Sequence, residues 1–106
     1  MPNSYSIHSN LGALLAESDK TEEALEHYRL ARLMKMDSAE ARANYANGLL
    51  TIGRTAEAVE EYRAALEFRP DLADIHNNLA VALQELGRNE EALQHWLAAC
   101  GVDPNQ

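Results

Sequence analysis

Residues 73–106, ADIHNNLAVALQELGRNEEALQHWLAACGVDPNQ, decide the fold, because the preceding 34 residues, AEARANYANGLLTIGRTAEAVEEYRAALEFRPDL at 39–72, align with them without a gap. A further shift by the same step brings Tyr5–Ser38 into register, so three units fill the chain. Five slots hold one residue type in all three units: Asn10/Asn44/Asn78, Leu15/Leu49/Leu83, Glu23/Glu57/Glu91, Ala24/Ala58/Ala92 and Ala31/Ala65/Ala99. The last two units also share the breakers Gly53/Gly87 and Pro70/Pro104 and the pair Arg54/Arg88.

Within each unit the apolar residues recur at helical spacing twice, as in Ile75, Leu79, Ala82, Leu83, Leu86 and then Ala92, Leu93, Trp96, Ala99. Each unit therefore reads as a helical hairpin. The breakers Asp19-Lys20-Thr21, Gly53-Arg54-Thr55 and Gly87-Arg88-Asn89 separate the two helices, with glycine supplying a left-handed turn and Thr21, Thr55 or Asn89 predicted as caps. Glu22, Glu23, Glu57, Glu90 and Glu91 fall in the following first turns, where the helix dipole favours anions. Pro70 and Pro104 are predicted to end the second helices.

Composition agrees and narrows the functions. The chain has 106 residues, 46% hydrophobic and 25% charged, which is a foldable soluble composition too short for a binding domain plus a catalytic one. Only 6% are aromatic and glycine and proline are scarce, which favours helices over a strand-rich sandwich. A net charge of −8 would repel a phosphate backbone, so no nucleic-acid partner is expected. No apolar run approaches membrane-spanning length, and Met1-Pro2-Asn3-Ser4 lacks the parts of a signal peptide, so no membrane partner is expected either. The single cysteine, Cys100, forms no internal disulfide, and a cytoplasmic setting is the default reading.

The spacing resembles that of tetratricopeptide repeat proteins over residues 5–106. Small residues occupy Gly12/Ala46/Ala80, Ala24/Ala58/Ala92 and Ala31/Ala65/Ala99, and large ones Leu11/Tyr45/Leu79 and Tyr28/Tyr62/Trp96. The resemblance implies an all-α, right-handed superhelical solenoid of three helix-turn-helix hairpins at 5–38, 39–72 and 73–106, with 1–4 the tail of a preceding repeat. Departures are His8, Arg42 and His76 at a slot where the family often has an aromatic, and Asp19 in place of the turn glycine.

No phosphate loop, dinucleotide fingerprint, HExxH or paired-cysteine motif is present, so neither enzyme nor cofactor is expected. The histidines fall in two slots, His8/His76 and His27/His95; copies two units apart are separated by about 20 Å at helix-layer spacing, which predicts no shared metal. Cys100 occupies the slot of Leu66 and is predicted to be a small buried hydrophobe.

By the same resemblance, first helices line an inner surface that binds extended protein segments. The inward slots include Asn10, Asn44, Asn78, Asn47, Asn77, Glu40, Asp74 and Glu85 and no lysine or arginine, so a neutral or basic segment is expected there. The slots of the carboxylate clamp of chaperone-binding repeats hold Ser9, Ala13, Asn44, Asp74 and Asn78, and the cations of that clamp are absent. The repeated asparagine is similar to the ladder in the repeat domain of protein O-linked N-acetylglucosamine transferases, so a glycosyltransferase's substrate-recruiting domain is one implied parent. A carboxamide carries a donor and an acceptor side by side and can hold both polar groups of a passing backbone. The alternative reading is that each amide satisfies a neighbouring backbone or faces water. A second function class is a scaffold that forms a homo-oligomer through an uncapped end built from Trp96, Leu97, Cys100 and Val102.

Overall fold

A computed structural model describes residues 4–101, and Val102, Pro104 and the tail reading of 1–4 lie outside the described residues apart from the backbone of Ser4. Six helices follow in order: α1 (Ser4–Glu17), α2 (Thr21–Met34), α3 (Ala39–Thr51), α4 (Thr55–Phe68), α5 (Ala73–Glu85) and α6 (Asn89–Ala99). Helices α1 and α2, α3 and α4, and α5 and α6 pair as hairpins, while α2 meets α3, α4 meets α5, and α3 touches α5. The resulting stack extends 48 × 26 × 18 Å.

The repeated small and large residues explain the stacking. Ala46, Ala58, Ala65, Ala80 and Ala92 are fully buried and allow the helices to approach, while Leu49, Val59, Tyr62, Leu79 and Leu83 fill the space left between them. Gly12 shows how close the approach is: a Cβ there would meet the Tyr28 ring at 2.7 Å. Side-chain ion pairs add ties, with Glu61 of α4 taking Arg32 of α2 in the preceding unit at 2.5 Å and Arg42 of α3 in its own hairpin at 3.6 Å. Arg63 of α4 reaches Glu91 of α6 at 2.9 Å.

The turns correct the expected caps. Thr21, Thr55 and Asn89 are the first helical residues, and the N-cap positions belong to Lys20, Arg54 and Arg88, whose side chains make no capping bond. The backbone explains this. Lys20, Arg54 and Arg88 donate their N–H groups to the carbonyls of Leu15, Leu49 and Leu83, closing the preceding helix in a Schellman arrangement. That arrangement needs a left-handed residue just before, supplied by Asp19, Gly53 and Gly87 at φ of 62°, 87° and 78°. Helix α3 instead has a side-chain cap: the Ala41 N–H donates to Ser38 Oγ at 3.1 Å. Pro70 does follow the end of α4 at Phe68.

Candidate binding cleft

The first helices α3 and α5 stand next to each other, and the turns 35–38 and 69–72 that lead into them rise on one side. Between them lies a cleft of about 840 Å³ lined by Asp37, Ser38, Glu40, Ala43, Asn44, Asn47, Arg69, Leu72, Ala73, Asp74, Ile75 and Asn78. Five of the predicted binding residues meet here: Glu40, Asn44, Asn47, Asp74 and Asn78.

Their side chains differ in freedom. Asn44 is half-buried and makes no side-chain hydrogen bond among the described residues, so its carboxamide is available to a ligand. Asn78 donates from Nδ2 to Asn47 Oδ1 at 3.1 Å, and that same oxygen accepts the phenolic hydrogen of Tyr62. Asn47 is thus the centre of a short polar chain running from the buried Tyr62 to the cleft. Burial also raises the Tyr62 phenol well above its ordinary range, so it stays a neutral donor. Asn47 Oδ1 is saturated by these two donors, whereas Asn78 keeps its second Nδ2 hydrogen and one lone pair on Oδ1, which accepts the Asn77 Nδ2–H at 3.5 Å, so the chain orients Asn78 while leaving it able to bind.

Three predicted residues lie elsewhere. Asn10 is an exposed residue of α1 and does not line the α3–α5 cleft. Asn77 points toward α6, where its Oδ1 accepts the Trp96 Nε1–H at 3.1 Å. Glu85 sits near the turn end of α5 and accepts the Thr55 hydroxyl at 3.2 Å. Helical rotation explains the split, since the slot next to an inward one turns about 100° toward the neighbouring helix. Asn77 therefore faces Trp96 and Asn78 faces Asn47, with one long amide contact of 3.5 Å between the two.

The expectation that all cations lie away from the inner wall needs correction at one residue. Arg69 lines the cleft from the turn after α4, paired at 3.4 Å with Asp71, with both side chains largely exposed. Asp37 was missed for the same reason, because a search confined to helix faces passes over residues on turns. Asp37, Glu40 and Asp74 against the single Arg69 still leave the wall net negative.

At the proposed oligomer end, Trp96 is half-buried and packed against the core, Leu97 is half-buried, and Cys100 is exposed. The buried reading of Cys100 fails because α6 ends at Ala99 and leaves Cys100 at its C-cap. The exposed apolar side chain there is Leu93, at 56%, where Val59 in the same slot of α4 is at 1%.

The histidines also pair differently from the expected comparison of copies. His8 meets His27, and His76 meets His95, each with Nδ1 atoms 2.9 Å apart inside one hairpin. No group of three or more His, Cys, Asp or Glu side chains placed to hold a metal occurs among the described residues. Nor is any helix among them long and apolar enough to cross a membrane.

Comparison with known proteins places this geometry. The family described as TPR repeat matches residues 46–87, and the one described as tetratricopeptide repeat matches residues 73–106. None of the curated proteins matches. Among solved structures, the second TPR of Spaghetti (RPAP3) bound to the HSP90 peptide SRMEEVD superposes with a TM-score of 0.88 at 21% identity, covering 94% of this chain and 93% of that one. MamA AMB-1 gives a TM-score of 0.82 at 25% identity over 96% of this chain, and another MamA crystal structure 0.87 at 18% over 97%. The chain spans 60% of the length of both MamA chains. The matched descriptions show tetratricopeptide repeats over residues 46–106, and the repeated hairpins with these superpositions show that the chain folds as an all-helical solenoid of hairpins of that type.

Proposed function

We propose that the chain is a protein-interaction module that holds an extended, neutral or basic peptide segment in the cleft between α3 and α5. The observation that carries this is the meeting of a free carboxamide, Asn44, with an oriented one, Asn78, on a wall bearing Asp37, Glu40 and Asp74. Amides grip the backbone of the segment irrespective of its side chains, and the carboxylates select the charge of those side chains. A first-helix spacing near 10 Å and an extended chain rising about 3.3 Å per residue let every third ligand residue meet an amide. Asn10 would extend the row only for a segment running beyond the cleft onto α1.

The RPAP3 neighbour holds a peptide with three carboxylate side chains. This chain should prefer the opposite charge. Calorimetry with an extended lysine-bearing peptide and its glutamate counterpart tests the reading, and tighter binding of the glutamate form, or equal binding at low salt, defeats it. Asn44→Ala should weaken the lysine peptide by about 2- to 10-fold, the worth of one net hydrogen bond; unchanged affinity removes Asn44 from the grip. For the parent, the Asn10/Asn44/Asn78 pattern supports the substrate-recruiting domain of a glycosyltransferase, and the structural neighbours add nothing to that part of the reading. A second reading, association of copies through end faces, is favoured by the exposure of Leu93.

A further inference from the structure

The two histidine pairs share one construction. Nδ1 of His76 on α5 and Nδ1 of His95 on α6 lie 2.9 Å apart, with ring centres 5.2 Å apart and ring planes inclined by 27°. The centres are separated by the N···N distance plus about one ring width, so both nitrogens lie nearly on the line joining them. The rings therefore meet edge to edge, in the geometry of a linear hydrogen bond.

The neighbours decide which ring donates. Nε2 of His76 lies 2.8 Å from the Pro70 carbonyl oxygen, and a carbonyl only accepts, so that nitrogen carries the proton. Nδ1 of neutral His76 is then a bare acceptor, and His95 must donate its Nδ1–H. One extra proton can settle on His95 Nε2 and leave this bond intact. A proton on His76 Nδ1 cannot, because two N–H groups would then face each other.

The pattern recurs and has an internal control. His8 and His27 repeat it, with Nδ1 atoms 2.9 Å apart and ring planes inclined by 26°. In the middle hairpin the same two slots hold Arg42 and Glu61, 3.6 Å apart, and Arg42 Nε donates to the Met36 carbonyl as His76 does to that of Pro70.

We propose that His8–His27 and His76–His95 are acid-sensitive latches. Each closes its hairpin through one Nδ1–H···Nδ1 bond that survives a first proton on the donor ring and breaks when the pair takes up a second, on the acceptor nitrogen, while the Arg42–Glu61 hairpin between them stays shut.

The surroundings of the third-hairpin pair resist even its first proton, on His95. Burial, His76 and Arg63 of α4 hold His95 below its ordinary pKa of 6.5, with Glu91 on α6 opposing them while bound to Arg63 and Arg88. Beside the first pair stands Glu26 of α2, itself held by Arg29 at 2.6 Å. Because the folded His95 is the weaker base, the unfolded chain binds more protons on acidification. The contribution to stability is complete above about pH 6.5 and declines below it. The next residues along both helices, Asn77 and Trp96, make the next cross-helix bond, beside Asn78. Release would therefore slacken one wall of the cleft, a consequence that rests on the peptide-binding reading.

Two measurements on the full chain test the latches without any peptide. Long-range ¹⁵N NMR at pH 7.5 should find His95 protonated at Nδ1 and His76 at Nε2; both rings protonated at Nε2 would overturn the proposal. Thermal unfolding at pH 7.5 and 5.5 should show a midpoint drop roughly 4–8 °C larger for the natural chain than for the variant His8→Arg, His27→Glu, His76→Arg, His95→Glu. Equal drops overturn it, and the NMR arm decides alone if that variant does not fold. Failure of the lysine peptide to bind would defeat the function proposed above and leave the latches standing.

Discussion

At the scale of single residues, the three turns inside the hairpins perform one task with different side chains. Asp19 takes φ of 62°, whereas Gly53 and Gly87 occupy the same place at no steric cost. An L-residue with a Cβ loses about 1 kcal/mol in that region, less when a short polar side chain can bond locally. Asp19→Gly should therefore stabilise the chain by about 0.5–1 kcal/mol, and Gly87→Ala should cost about 1 kcal/mol. Urea unfolding with matched slopes measures both. A destabilised Asp19→Gly would mean that the aspartate side chain contributes a bond worth more than the strain. The turn positions were legible because a breaker recurring every 34 residues has few meanings. The histidine pairs were not, since comparing copies of a slot along the stack leaves out partners 19 residues apart across one hairpin.

At the scale of helices, Tyr62 shows how a core residue positions a surface one. The side chain is fully buried between α3 and α4, and its hydroxyl is its link to the cleft through Asn47. Removing that hydroxyl leaves Asn47 Oδ1 with Asn78 alone and frees the amide to rotate. Tyr62→Phe should lower stability by about 1 kcal/mol, the usual worth of one such bond. It should also weaken the lysine peptide by a similar factor to Asn78→Ala, although residue 62 touches no ligand. A loss of stability with unchanged peptide affinity would show that the polar chain supports packing alone. Helix identity and pairing were readable from apolar periodicity, whereas Asn77 and Asn78 were assigned one role because both fall on the first helix. Separating them requires knowing that Trp96, in the slot of the phenolic Tyr28 and Tyr62, carries an N–H that needs an acceptor.

Across the whole molecule, stacking buries each hairpin only where another covers it. Ile7, Leu11 and Leu14 lie along one face of α1 and are 49%, 38% and 60% exposed. Their counterparts 34 residues apart, Ala41, Ile75, Leu79 and Ala82, are buried under the preceding hairpin. At the other end Leu93 is the exposed member of a slot whose earlier members, Leu25 and Val59, lie beneath the next first helix. Among the described residues, the surfaces that meet between α2 and α3 and between α4 and α5 thus reappear uncovered on α6 and α1. A head-to-tail contact of two copies would reproduce the internal interface, and because that contact is heterologous it would leave both outer faces open to further copies. Light scattering should show mass rising with concentration, without a fixed dimer plateau. Leu14→Glu or Leu93→Glu alone should suppress the rise, since a carboxylate buried in the joint would go unpaired. An equimolar mixture of these two variants separates this geometry from a symmetric one. Each retains one intact face, so head-to-tail stacking gives dimers that stop at two copies, whereas an end-to-end dimer through α6 would persist in Leu14→Glu by itself.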